Sequence, residues 1–568
     1  MFILGISDME HDSAAAIGAE SAVSPVLAAI EEDKLSRNPA VGGVPRQAIE
    51  FCLRQAGAKA ADLDLVAVAA RPRQAWLRTE RFRLANLLTL QGGGYGRGTM
   101  GRLSRELNHV RLLKKTYAGQ PGAPELADFE HHLCHAASAF YPSPFDRALV
   151  LTLDESGDMW SGLVAAGEGE SLRVLHAMEF PNSLGWMYTQ VTGLLGFRPR
   201  RDEHKVQWLG REASADFLPA FRKLFQPNAH GLPHLNRKYF GKGVGERSAF
   251  SAEFCRELGL SPDARESADG RTRAAIARSA QEFLEETVVA LAERFRKQTG
   301  AKYLCVSGGV FLNVLLVRAL ETRTGFEKVF VQPVSGNAGT ALGAVSLGRK
   351  KATGRVPRQG LEHLYLGPEP EAGQMKAVLD NCKIIYRYLP SEEELLDETV
   401  RILREDKILA WYQGRVEFGL RALGNRTILA SPFSPYVIEN LNQYIKHRED
   451  FHPFAISVTA ERAAEWFTCS ENCRFMASVG ELHDGPPDLR QFAFRGNSVR
   501  VHTADRATNP RFWNLLRKFG EQMPASTLVN TSFNLFGEPL VCDPREAVRS
   551  FYCSGIDAMV MGNFLLMK

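Results

Sequence analysis

The 568-residue chain lacks any run of about eighteen uninterrupted apolar residues, so no membrane-spanning helix is expected. Its opening, MFILGISDMEHD, has neither the basic start nor the small-residue cleavage site of a secretory signal, and a cytoplasmic protein is expected. Close cysteine pairs are scarce. Of nine cysteines only Cys469 and Cys473 are near neighbours, with no second pair, which argues against a disulfide framework and a zinc ribbon alike. Charge of one sign is also missing: 69 basic against 65 acidic residues leaves +4, too little over this length to imply a nucleic-acid partner. What remains is an ordinary globular balance, 45% apolar and 24% charged, in a chain too long for one core.

The positive charge is uneven, because RPRQAWLRTERFRLANLL and GRGTMGRLSRELNHVRLLKK hold many more bases than acids. Two solvated helices with basic stems over apolar surface explain this without a ligand. Between them Gly96, Gly98 and Gly101 have GxGxxG spacing. A dinucleotide site is rejected there, since LANLLTLQGGG reads as a helix end entering a loop and not as a buried strand.

One pattern occurs twice. FILGIS, the polar turn DMEHDS, AAAIGA, a second turn and VLAAIEED are echoed by ALVLTL, the turn DESGD, SGLVAAG, the turn GEGES and LRVLHAMEF. A duplicated three-stranded unit is predicted. Helices follow at AIEFCLRQAG and AAIARSAQEFLEETVVALAERFRKQTG, then KYLCVSGGVFLN reads as a strand, a Gly-Gly turn and a helix start whose amides suit phosphate oxygens. Near residue 350, GRKKATGRVPRQG reads as a linker.

EHHLCHAASAF places three histidines within five positions. On a helix His131 and His135 share a face, while Leu133, Ala137 and Phe140 make a separate apolar stripe. Two imidazoles on one face are half of a metal site and need an oxygen donor from elsewhere; as residues alone they read equally as surface or core histidines.

From about residue 380, KIIYRYL, KILAWYQG and FAISVTA read as strands among helical EEELLDETVRILRE and VIENLNQYIKHRED. Arg415, Arg421, Arg426, Lys446 and Arg448 lie beside glycine-rich turns, where their donors can converge on a phosphate or cap helix ends.

Taken in order, HDSAAA, EHHLCHAASAF, LTLDESGD, SLGWMYTQVTGLLGF, EHKVQWLG, SGGVFLN, PVSGNAGTALGA, EFGLRALGNRTIL, YIKHREDFHPFA and VNTSFNLFGEPLV make the sequence resemble the O-carbamoyltransferases of antibiotic and nodulation-factor biosynthesis, nearly end to end. The resemblance implies an α/β protein: a duplicated actin/sugar-kinase-like (ribonuclease H-like) domain over 1–350, a linker over 351–380 and a YrdC-like α/β domain over 381–568. It implies that His131, His135, Asp154 and Asn337 hold a divalent ion, iron by family, with Mg accompanying ATP. Lys205, Gly308, Gly309, Asn313, Asn530 and Asn534 are implied nucleotide contacts. Arg415, Arg421, Lys446, Arg448, His452, Arg500, Asn530 and Ser532 are implied to bind carbamoyl phosphate, with Lys446 and Arg500 also catalytic. The implied reaction charges carbamate onto ATP as carbamoyl adenylate, then transfers it to a hydroxyl. His11, in the turn after the first strand, is the candidate base, unless it only hydrogen-bonds that turn. His132 points elsewhere on the helix, to the surface or behind the ligands. VNTSFN reads alternatively as a hydrogen-bonded turn of small residues.

Similar proteins usually carry aspartate where this chain has Asn337, proline at Leu420 and arginine at His452. Asn337 offers a metal only a neutral oxygen. Three other readings stay open: another ATP-driven acylation, a nucleotide-binding non-enzyme, and an RNA modifier supported by the basic segment Arg71 to Lys115. That segment otherwise favours an anionic acceptor. The expected partners are carbamoyl phosphate, ATP and a small hydroxyl acceptor, with no nucleic acid or membrane, in a possible homodimer. His452 replaces a fixed charge with one largely lost at neutral pH. Carbamoyl phosphate use above pH 7 is therefore expected to be weaker than in a His452→Arg variant; equal Michaelis constants for both proteins across pH would refute this.

Overall fold

A computed structural model describes residues 1–19, 26–39, 41–85, 92–117, 123–240, 249–260, 269–483, 485–535 and 537–568. The chain forms two compact units, the first comprising Met1–Leu27 and Gly42–Gly360 and the second Ala28–Val41 and Leu361–Lys568. The stretch 28–41, expected in the front domain, thus groups with the rear one. Among the described residues no helix is long and apolar enough to cross a membrane.

The strands of the front half are β1 (Phe2–Ile6), β2 (Ala14–Ala19), β3 (Ala28–Glu31, in the second unit), β4 (Leu65–Val68), β5 (Glu125–Asp128), β6 (Arg147–Gly157), β7 (Trp160–Glu168), β8 (Ser171–Glu179), a short hairpin of β9 (Phe225–Pro227) and β10 (Pro233–Leu235), β11 (Tyr303–Ser307) and β12 (Lys328–Val331). β1 runs antiparallel to β2 and parallel to β4, which is parallel to β5. β6 repeats the scheme: antiparallel to β7, parallel to β11, with β11 parallel to β12. The mixed α/β fold therefore carries one strand plan twice. β1 and β4 read as unbroken apolar runs because both faces are covered.

What covers them includes the helices His131–Phe140 and Thr340–Thr353, which meet in the core with Ile3, Ala67, Val150, Leu163 and Cys305. The approach is close because Gly343 has no β-carbon; one there would collide with the Cys134 carbonyl. Glu130 caps the first of these helices, accepting the N–H groups of His132 at 3.1 Å and Leu133 at 2.7 Å. Apart from the half-buried Leu133, the helix is buried all round, so its apolar stripe is not a separate exposed-versus-buried division.

The basic segment does form two helices, Pro72–Ala85 and Gly92–Tyr117, but Gly96, Gly98 and Gly101 lie inside the second and not in a loop. The stretch LTLQ that precedes them lies outside the described residues.

The second unit is built on one mixed sheet of β13 (Arg387–Tyr388), β14 (Leu409–Tyr412), β15 (Arg426–Ala430), β16 (Ala455–Thr459), β17 (Phe467–Thr468), β18 (Gly480–Leu482), β19 (Ser498–Ala504), β20 (Thr527–Ser532), β21 (Ala558–Met561) and β22 (Phe564–Met567). Its order is β13-β22-β21-β14-β15-β20-β16-β19-β18-β17. Both faces carry apolar clusters, one around Ile456, Phe533 and Phe551, the other around Leu396, Trp411 and Phe512. Two expectations differ from this. Residues 351–380 include most of the helix Ala372–Asn381, anchored by buried Met375 and Leu379, and KIIYRYL contributes only the two-residue β13. Ahead of Lys446, NLNQYIK is a π-helix, a rare form frequent at functional sites, and His447 follows it with φ 44°.

Candidate functional site

In the first unit, His131, His135 and Asp154 converge. His135 Nε2 lies 3.0 Å from His131 Nε2 and 3.2 Å from Asp154 Oδ2, and His131 Nε2 is 3.8 Å from the same oxygen. Bonds of about 2.1 Å from a single ion would set neighbouring donors about 3.0–3.4 Å apart; two of the three separations fall in that range and the third, at 3.8 Å, would have to shorten for the trio to hold one divalent ion. Of the ring nitrogens turned away, His135 Nδ1 lies 3.1 Å from Ser307 Oγ, the kind of contact that orients a metal-bound histidine, while His131 Nδ1 lies 3.2 Å from Asp8 Oδ2 as an ion-pair contact without hydrogen-bond geometry. Two glycines make the space. A β-carbon at Gly157 would overlap the His131 ring, and one at Gly309 would stand 3.0 Å from Asp154 Oδ1.

Charge follows geometry here. Burial alone would lower the His131 imidazole, but Asp154 and Asp8 hold it well above its ordinary value. Burial would raise the Asp154 carboxyl, yet His131 and His135 keep it well below the usual range. Asp8 behaves likewise beside His131. His132 differs: it is fully buried, neutralised by burial and by its two histidine neighbours, with Nδ1 3.0 Å from Thr152 Oγ1 and Nε2 3.1 Å from the Trp160 carbonyl. Of the two positions expected for His132, the surface is excluded by its full burial, and the one behind the ligands agrees with its contacts.

Asp8 was not among the sequence candidates. Its signal was the duplication, since Asp8 follows β1 as Asp154 ends the apolar run of β6. The turn after β1 is tied down by Asn337, whose Nδ2 donates to the Asp8 carbonyl at 2.9 Å and to the His11 carbonyl. Its Oδ1 is buried without a hydrogen-bond partner. Asn337 therefore faces the turn with its amide and holds backbone. His11 Nδ1 lies 2.8 Å from Asp12 Oδ2, and Asp12 has φ 47°, a left-handed conformation that a functional turn tolerates. Burial would lower the His11 imidazole, but Asp12 pushes it up to about 9.

The Gly-Gly turn closes on this cluster as well. Gly308, at φ 106°, presses on the Leu153 carbonyl, and Gly309 N–H donates to Asp154 Oδ2 at 3.2 Å. Asn313 caps the next helix through Leu316 N–H and exchanges amide hydrogen bonds with Gln281. Lys205 Nζ stands 3.8 Å from Asp202 Oδ1. These implied nucleotide contacts, Gly308, Gly309, Asn313 and Lys205, thus have partners inside the protein.

In the second unit a group of cations converges. Arg500 is pushed well below its ordinary value by burial and by the fields of Arg421 and Arg448. Burial takes Arg421 and Arg448 down to about 10, and Lys446 falls well below its ordinary value through burial and Arg448. Arg448 Nε donates to Asn442 Oδ1 at 2.7 Å, its guanidinium lies 4.4 Å over the Phe454 ring, and its Nη2 is buried without a hydrogen-bond partner. Like charges packed this way favour an anion.

Other expected phosphate ligands are occupied by the protein itself. Arg415 donates to the Gly367 carbonyl at 3.0 Å and the Leu366 carbonyl at 2.7 Å. Arg426, fully buried over Tyr412, serves the carbonyls of Gln413, Gly414 and Asn425. Lys446 Nζ donates to the carbonyls of Ser532 and Asn534 at 2.8 and 2.9 Å and to Asn534 Oδ1 at 2.6 Å. Ser532 Oγ donates to the same Asn534 oxygen, and Asn530 is bound to Thr427, Ser457 and the Ala422 carbonyl. VNTSFN is therefore a hydrogen-bonded knot around Lys446. His452 Nδ1 lies 3.1 Å from the Glu449 carbonyl.

Known proteins match over most of this chain. A family model described as Carbamoyltransferase N-terminus matches residues 2–346, and one described as Carbamoyltransferase C-terminus matches residues 400–568. An uncharacterized protein of Synechocystis sp. is 31% identical over 600 residues, covering 100% of this chain and 96% of that one. Nodulation protein NolNO of Sinorhizobium fredii is 31% identical over 571 residues, covering 98% and 79%. The 3'-hydroxymethylcephem-O-carbamoyltransferase of Amycolatopsis lactamdurans is 31% identical over 262 residues, 46% of this chain and 48% of that enzyme. The solved structure of T. kodakarensis HypF aligns with a TM-score of 0.32 at 16% identity over 62% of this chain and 48% of that one, a likeness too slight to rest a fold argument on.

A carboxylate at position 337 would face two carbonyl oxygens with no hydrogen to give them, unless a cation lay between. Asn337→Asp is thus expected to melt earlier than the unaltered protein when metal is stripped and to recover on adding a divalent ion, whereas His135→Ala should lose one-to-one metal binding by calorimetry. Melting of Asn337→Asp that ignores metal, or full metal binding by His135→Ala, would remove the assignment.

Proposed function

The chain belongs to the carbamoyltransferase family and is an enzyme that transfers carbamoyl groups, and from that premise we propose that it activates carbamate with ATP and delivers it to the hydroxyl of a small acceptor. Water takes carbamoyl phosphate to carbamate and phosphate. A carbamate oxygen attacks the α-phosphorus of ATP and pyrophosphate leaves, giving carbamoyl adenylate. The acceptor oxygen then attacks the carbamoyl carbon and AMP leaves. The first two steps are assigned to the second unit, read as YrdC-like, and the last to the first unit, read as actin/sugar-kinase-like.

The observation that carries this reading is the grouping of Arg421 and Arg448 around Arg500, which both of them lower, with Arg448 Nη2 buried and lacking a hydrogen-bond partner. Such a cluster is costly to fold around nothing and suits the phosphate of carbamoyl phosphate, on which planar guanidinium forks bind two oxygens at once. Lys446 orders VNTSFN through Ser532 and Asn534. In the first unit a divalent ion held by His131, His135 and Asp154 would supply positive charge to the oxygen that gains electron density during transfer. His11 keeps its role as candidate base: Asp12 takes the Nδ1 hydrogen, leaving Nε2 for the acceptor proton.

Incubation with ATP, carbamoyl phosphate, magnesium and a panel of divalent ions should release pyrophosphate only when carbamoyl phosphate is present and add a carbamoyl mass to candidate alcohols. Pyrophosphate release indifferent to carbamoyl phosphate would refute the reading. A base must be neutral to accept a proton, and His11 titrates near 9, so transfer should accelerate as pH rises through that region. Asp12→Asn removes the group that raises the imidazole and should move this limb toward its ordinary value of 6.5; an unmoved limb would exclude His11 as the base.

A further inference from the structure

Arg421 sits on a loop whose shape is fixed by residues from the other end of the chain. Fully buried Glu417 turns Oε1 back on the loop and accepts the N–H groups of Leu423 at 2.8 Å, Asn425 at 2.9 Å and Arg426 at 3.2 Å. Lys34 Nζ donates to the carbonyls of Glu417 and Gly419, both at 2.7 Å, and to Glu31 Oε2 at 2.8 Å. The other oxygen of Glu31 accepts the Gly419 N–H at 2.7 Å. Tyr365 Oη donates to the Leu423 carbonyl at 2.7 Å. The loop is thus held on both sides of Arg421.

Apart from Glu417, the loop has little in its own sequence to hold it. Gly419 at φ 108° and Gly424 at φ 98° flank Arg421, and glycines in that region leave a chain free to take other shapes. Leu420, where similar proteins have proline, is 65% exposed and packs on little. The Lys34–Glu31 pair, with side-chain exposures of only 4% and 6%, is a poor device for stability alone, because burying both ions costs much of what their attraction returns. Its three donated and accepted loop contacts instead select one backbone path.

We propose that Lys34 and Glu31 are positioning residues for phosphate recognition: they hold the loop of residues 417–423 in the shape that directs Arg421 to carbamoyl phosphate. The inference rests on the reading of Arg421 as a phosphate ligand given above. It adds two residues from the segment 28–41 to the machinery of the second unit, where no motif had pointed.

The test uses the full-length protein and inorganic phosphate as the probe, with affinity read by calorimetry and folding by thermal melting. Lys34→Met should weaken phosphate binding about tenfold, raise KM for carbamoyl phosphate more than it lowers kcat, and Arg421→Ala should weaken binding at least as much. The double variant should bind no worse than Arg421→Ala, because Lys34 acts through Arg421. Unchanged phosphate affinity in Lys34→Met, or losses that add in the double variant, would overturn the proposal. Should Lys34→Met fail to fold, Glu31→Gln takes its place with the same expected direction, and phosphate binding equal to that of the unaltered protein would be equally fatal. If Arg421→Ala itself binds phosphate normally, the assignment of Arg421 falls, and this proposal with it.

Discussion

The front half of the molecule is organised by two carboxylates that share His131, Asp154 lying against both His131 and His135 and Asp8 against His131. Each lies at the end of the central strand of its own sheet, so the duplicated strand plan presents two acids to one helix. Opposed carboxylates at such depth repel unless positive charge lies between them, and in the protein alone His131 supplies it. Everything nearby serves that arrangement: Glu130 and Asp158 hold the start of the helix, Gly157 and Gly309 leave room for ring and carboxylate, and Ser307 fixes His135.

The rear half inverts the sign. Arg421, Arg448 and Arg500 share a region where cations exceed anions, and Glu449, the acid that supports Arg448, does not restore balance. One unit is therefore matched to a cation and the other to an anion. This division suits the proposed reaction, which would begin from a phosphorylated one-carbon donor and end with charge developing on a carbonyl oxygen, because each stage would meet its counter-charge already in place.

Helical spacing made the pair His131 and His135 legible, because it is a local pattern, whereas Asp154 was supplied by the family resemblance and not by spacing. Asp8 was not legible, since its contact depends on the second sheet meeting the first through the helix. The arginines show the same limit. Arg415 and Arg426 lie close to Arg421 in the chain, but they serve carbonyls of 366–367 and 413–425, and which carbonyls lack partners is decided only on folding. The strands of both repeats were readable from their apolar runs. The helix through 92–101 was not, because glycine argues for a loop locally and only the surrounding chain overrides it.

Like charges stay together only if the backbone beneath them is over-determined. In the second unit a polar ladder does this inside the sheet: Thr427 on β15 donates to Asn530 on β20, whose amide donates to Ser457 on β16 at 2.9 Å, and Ser457 Oγ lies 3.0 Å from His502 Nδ1 on β19. Burial keeps His502 neutral, lowered to about 3, so the ladder adds no charge to a region already rich in cations. Arg500 lies two residues from His502 on the same strand, and Asn530 also holds the Ala422 carbonyl next to Arg421. The amide of Asn530 therefore joins the strand that carries one arginine to the loop that carries the other. A ligand there would place two more hydrogen bonds on an amide that already makes its own, which is why Asn530 fits the role of scaffold better than that of phosphate donor.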